Sequence, residues 1–141
     1  MSGGIDGLTK KEQLDELEKF LDRLRAESER TPILVEGARD VAALRKLGLE
    51  GEILKLNRGE GLVERADGIS RHCKNIILLT DWDYKGVELH DRLKRLLRDV
   101  QVETDDFFWS RLRKLVGGGS RTVEDLPAFL DILRERASSN C

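Results

Sequence analysis

Residues 75–86 read Asn-Ile-Ile-Leu-Leu-Thr-Asp-Trp-Asp-Tyr-Lys-Gly, and the step from apolar to acidic inside that stretch decides the fold. Ile76, Ile77, Leu78, Leu79 and Thr80 run on without polar alternation, as a parallel strand covered on both faces does. Asp81, Trp82 and Asp83 follow at once. Lys85 and Gly86 then open a helix whose apolar face is Val87, Leu89, Leu93, Leu96 and Leu97. Parallel sheets hold ligands just beyond the carboxyl ends of their strands, so two carboxylates stand where an α/β protein keeps its chemistry. If extended geometry persists through Trp82, both aspartates point to one side and a cation between them relieves their repulsion. The plainer reading has Asp83 capping the helix and Asp81 in a solvated loop. Trp82 should point away from both acids and bury its ring, or else stack on a base.

Upstream, the same plan occurs twice. Ile33, Leu34 and Val35 end in Glu36, Gly37 permits a turn, and Val41, Leu44 and Leu47 give the stripe of a helix that stops at Gly48. Residues 52–56 form the second strand, followed by the turn Asn57-Arg58-Gly59-Glu60-Gly61 and a weaker helix over 62–72. That turn is neither a Walker loop nor a dinucleotide fingerprint, so it is first a connector, with Arg58 able to reach a phosphate. Downstream come a short strand over 100–104, a helix over 107–116, a loop at 117–120, and a last helix capped by Thr122 or Asp125. An amphipathic helix over 8–30 precedes everything, with Leu14, Leu17, Phe20, Leu21 and Leu24 on one face and Thr9 near Gln13 as a loose cap. Its stripe packs on the domain or pairs two copies in a homodimer.

Alternating strands and helices predict an α/β, Rossmann-like fold: a mostly parallel sheet of about four strands, helices on both faces, and helices added at each end. Residues 1–30, 31–105 and 106–141 then form a lead and helix, the α/β domain and a helical extension, in one compact unit. Glu36, Asp81 and Asp83 should converge at one sheet edge, with Asp40 a turn along its helix as a supporting acid. Carboxylates without His or Cys make a hard, oxygen-only site that suits Mg²⁺ or Mn²⁺.

Glu36-Gly37 with Asp40, followed by Asp81, Asp83 and Gly86 as DxDxxG, resembles the two signature motifs of the Toprim domain. That module is shared by topoisomerases, bacterial-type primases, certain nucleases, recombination-repair proteins and a ribosomal-RNA maturase. The resemblance covers about residues 31–105, and the chain as a whole looks like small stand-alone archaeal Toprim proteins. It implies that Glu36 is general acid or base at a phosphodiester with a share in metal binding, and that Asp81 and Asp83 are Mg²⁺ ligands. It also implies nucleic-acid processing on RNA or DNA, by cleavage or transfer, or else a non-catalytic metal-binding module that organises a nucleoprotein complex. Arg58 and Lys85 are the candidate substrate contacts. Tyr84 has no place in the motif and is expected to pack against the turn. A haloacid-dehalogenase-like phosphatase also uses DxD after a strand, but it has Thr or Val where Lys85 stands.

The whole-chain balance is compatible with this. With 25 basic and 27 acidic side chains among 141 residues the formal charge is −2, so net charge does not announce a nucleic-acid binder. Two clusters, Arg92, Lys94, Arg95, Arg98 and Arg111, Arg113, Lys114, are either a basic face or solvated helix surface. No stretch has the length of a membrane span and the first residues lack a secretory layout, so a cytoplasmic protein without membrane association is expected. Cys73 and Cys141 fit no metal or disulfide framework.

Overall fold

A computed structural model describes residues 7–139. Its elements in chain order are α1 (Lys10–Ser28), β1 (Ile33–Val35), α2 (Ala38–Lys46), β2 (Ile53–Lys55), α3 (Leu62–Ser70), β3 (Asn75–Leu78), α4 (Tyr84–Asp99), β4 (Glu103–Asp105), α5 (Phe107–Val116) and α6 (Leu126–Ser139). The four strands form one all-parallel sheet in the order β2-β1-β3-β4. This is the expected Rossmann-like α/β architecture. Cys141 and most of the expected N-terminal lead lie outside the described residues, and Cys73 is a free thiol.

Successive side chains on a strand face opposite ways, and the two cores follow from that. Ile33, Val35, Ile77 and Leu79 point into a layer with α1, α2, α5 and α6, where Leu17, Phe20, Leu24, Leu44, Phe108, Leu112 and Leu130 are buried. Leu34, Ile76 and Leu78 point the other way, onto Ala66 and Ile69 of α3 and Leu93 and Leu97 of α4. The register Ile33↔Ile77 and Leu34↔Leu78 keeps each pair in one layer. A slip by one residue would exchange the layers, so packing fixes the register. The edge strands carry charge instead, Lys55 on β2 and Glu103 and Asp105 on β4, which discourages edge pairing.

The α1 stripe packs on the domain, in the same core as α5 and α6. Helices α1, α5 and α6 therefore share one core with β1 and β3. The α1 N-cap is a capping box between Thr9 and Glu12, with Glu12 N–H donating to Thr9 Oγ1 at 3.0 Å and Thr9 N–H to Glu12 Oε1 at 2.9 Å. Gln13, expected beside that cap, is buried and donates through Nε2 to the Leu115 carbonyl at 2.8 Å, tying α1 to α5. The two basic clusters ride on α4 and α5, and within them Lys94, Arg111 and Arg113 are engaged by Asp106, Glu16 and the Trp109 ring. Among the described residues, no helix is long and apolar enough to cross a membrane.

Candidate acidic site at the sheet switch point

The chain steps from β1 outward to β2, then passes back over β1 to lay down β3 on its other side. Neighbouring connections therefore leave the carboxyl ends of β1 and β3 in opposite directions, and a crevice opens between them. Glu36 leaves β1 into that crevice, and Asp81 arrives from β3. Asp81 N–H donates to Glu36 Oε2 at 2.8 Å, so these two acids do meet as the sequence suggested. Asp81 in turn accepts from Val123 N–H through Oδ1 at 2.9 Å.

The strand does not carry both aspartates, because β3 ends at Leu78. Asp83 is the N-cap of α4 and its Oδ1 accepts from Gly86 N–H at 2.8 Å. The plainer reading thus holds for Asp83. It fails for Asp81, which is partly buried and hydrogen-bonded on both sides. Asp40 is buried and performs the corresponding task on α2, accepting from Gly37 N–H through Oδ2 at 3.0 Å. Glu36, Asp81 and Asp83 each have one oxygen held by a main-chain N–H, and among the described residues the second oxygen of each takes no main-chain donor.

Burial and crowding raise the proton affinity of Asp81, Glu36 and Asp40. Asp81 is pushed up to about 7, first by burial and then by Glu36, Asp40 and Asp83, against the lowering effect of the Val123 amide. Glu36 is raised mainly by burial, with Asp40 and Asp83 adding to it and hydrogen bonds from Asp81 opposing it. Asp40 is raised by burial and by Glu124. A cation among them would reverse these shifts.

Donor chemistry and fixed carboxylate oxygens suit Mg²⁺, which keeps several waters and takes one or two protein carboxylates plus substrate phosphate. The arrangement is not a closed protein cage: among the described residues no group of three His, Cys, Asp or Glu side chains is set to hold a metal ion. Glu36 and Asp81 are joined directly by a hydrogen bond, and Asp83, with one oxygen on its cap, acts on both electrostatically.

One wall of the site comes from a segment not anticipated as part of it. Trp82, buried at 7% exposure, donates through Nε1 to the Ser120 carbonyl at 2.6 Å and through its main-chain N–H to the Arg121 carbonyl at 3.0 Å. Those two bonds and the Val123 contact clamp residues 120–123 against the aspartates. On the other side, Trp109 Nε1 donates to the Thr80 carbonyl at 2.9 Å. Trp82→Phe should cost about 1–2 kcal/mol by orphaning the Ser120 carbonyl, read as a drop in melting temperature.

Arg58, Lys85 and Arg121 are exposed, and no side-chain partner engages them among the described residues. They belong to the β2–α3 connection, the first turn of α4 and the clamped segment. Tyr84 does not pack against the turn. It is 85% exposed, because the first residue of α4 points outward once Asp83 takes the cap.

Fold and site together define a doubly wound α/β protein with a carboxylate crevice at its switch point. No family model matches the chain. It is 43% identical over 109 residues to a UPF0292 protein of Thermoplasma volcanium, a match covering 77% of this chain and 90% of that relative. A UPF0292 protein of Thermococcus sibiricus is 40% identical over 115 residues, covering 82% and 88%. The chain belongs to the UPF0292 family. A solved structure described as a putative protein from Aquifex aeolicus is similar with a TM-score of 0.67 and 27% identity, over 77% of this chain and 96% of that one.

Proposed function

We propose that this protein is a Toprim-type, Mg²⁺-dependent enzyme of nucleic-acid processing that cleaves or transfers at a phosphodiester, with Glu36 as general acid or base. The observation that carries the reading is the 2.8 Å bond from Asp81 N–H to Glu36 Oε2, which joins the two motif acids across the switch point. Mg²⁺ held by Asp81 with Glu36 or Asp83 would neutralise the charge that develops on phosphoryl oxygens. The chain's own contribution is proton handling and orientation. Glu36 is held through one oxygen, and its raised proton affinity lets it carry a proton closer to neutral pH than an ordinary glutamate and release it to a leaving oxygen. Arg58, Lys85 and Arg121, all exposed, would contact phosphates flanking the reacting one.

A second reading, a non-catalytic module that organises a nucleoprotein complex, is favoured by one observation: Asp83 already serves as a helix cap. Glu36→Gln separates the two. Glutamine can still accept from Asp81 N–H, so folding and Mg²⁺ stabilisation should persist while cleavage of RNA or DNA falls by about 10²–10⁴-fold. Undiminished cleavage in that variant would remove Glu36 from the chemistry. No cleavage by wild type on any single- or double-stranded substrate, with binding intact, would favour the second reading.

A further inference from the structure

Tyr84 is the chain's single tyrosine and, among the described residues, the most exposed large apolar side chain. Phe107, also exposed, is covered by the Arg23 guanidinium at 4.4 Å and by Phe108 edge-on. The Tyr84 ring has no aromatic or cationic partner among the described residues. It borders an open groove of about 480 Å³ with Val87, Asp83, Glu88, Asp91 and Arg113 around it. Asp83 lines the groove and also acts electrostatically on Glu36 and Asp81.

We infer that this groove is a subsite for one unpaired nucleobase of a single-stranded nucleic acid, stacked on the Tyr84 ring. The inference rests on the function proposed above and adds to it the strand form of the substrate. Charge decides what enters. Asp83, Glu88 and Asp91 face a single cation, Arg113, whose guanidinium already lies 5.4 Å over Trp109. A phosphate backbone is repelled there, whereas a base brings no charge, two flat apolar faces and N–H donors along its edge. Tyr84 and Val87 offer the apolar surface, and the three carboxylates offer acceptors to amino and imino donors. The phosphates are left to the unpartnered cations Arg58, Lys85 and Arg121. A duplex keeps its bases stacked inside and cannot use the groove.

The test is fluorescence anisotropy with short labelled single strands of RNA and DNA and their duplexes, in Mg²⁺, for wild type, Tyr84→Phe and Tyr84→Ala. Both variants should melt like wild type, since the ring is 85% exposed and has no aromatic or cationic partner among the described residues. Tyr84→Ala should weaken single-strand binding about tenfold, in the range of one lost base stack, with Tyr84→Phe within about twofold of wild type and duplex binding unmoved. Equal single-strand affinity in Tyr84→Ala, or an equal loss on duplex, overturns the subsite. Retained Mg²⁺ stabilisation in that variant would then leave the metal-dependent function standing. Absence of any strand binding by wild type overturns both proposals.

Discussion

At pH 8 and without divalent metal, Asp81→Asn is expected to melt roughly 3–8 °C above wild type, and added Mg²⁺ should then move its melting temperature hardly at all. The reason is a sign that can be worked out. Asp81 is pushed up to about 7 in the folded protein from 3.8 for an ordinary aspartate, because burial and then Glu36, Asp40 and Asp83 disfavour its charge. A raised folded pKa gives stability that is complete below pH 3.8 and is lost as pH rises through about 7. Above that, wild type holds a crowded buried charge that asparagine does not carry. Asn Oδ1 still accepts from Val123 N–H, and the backbone N–H to Glu36 is untouched, so the substitution removes repulsion and little else. Discounted for solvent screening, the gain is about 1–2 kcal/mol. It should grow between pH 4 and pH 7 and level off, which thermal melts across that range would read directly. Wild type, in contrast, should gain from Mg²⁺ chiefly above pH 7, where the cation need not displace a proton. A variant that melts below wild type at pH 8, or still responds to Mg²⁺, would place the metal away from Asp81.

Stabilisation by deleting an acid is the mark of a site held together against its own electrostatics, and that property was legible in the chain only in part. The two central strands announce themselves because both faces are covered, so Ile33 to Val35 and Ile76 to Leu79 are uniformly apolar. Once they are parallel neighbours, Glu36 and Asp81 must share an edge. The role of Asp83 was ambiguous for a physical reason: a spacing of two fits a strand, while Gly86 three places on fits a cap, and only the end of β3 at Leu78 decides between them. The wall at residues 120–123 was hidden for another. It binds the site through the Ser120 and Arg121 carbonyls and the Val123 N–H, and main-chain groups leave no side-chain signature. Arg121 was passed over because it follows three glycines that read as a plain loop. Tyr84 misled because an aromatic beside a turn is ordinarily packed, and only its position as the first residue of α4 turns it outward.

Gly86→Ala should be among the most damaging single-methyl changes in the chain, costing about 3 kcal/mol and lowering the melting temperature by about 10 °C. A Cβ at Gly86 would lie 2.0 Å from the Asp81 carbonyl oxygen and 2.4 Å from its carbon, so the clash is with backbone that no rotamer change can clear. Gly86 is also tied at both ends, its N–H to Asp83 Oδ1 at 2.8 Å and its carbonyl to Thr80 Oγ1 at 3.0 Å. Relief therefore requires α4 to draw away from the β3 end, and that breaks the cap and shifts Asp81 together. This close approach supplies a steric reason for glycine three places after Asp83. A useful control is Gly51→Ala, where the added Cβ would meet the Ser28 carbonyl oxygen at 1.8 Å, far from the acids along a different contact between α1 and the lead into β2. Both variants should melt early. Only Gly86→Ala should lose the Mg²⁺ response of its folded fraction, measured below the melting transition. If Gly51→Ala loses that response equally, or Gly86→Ala keeps it at full strength, the tight turn positions the helix but not the acids.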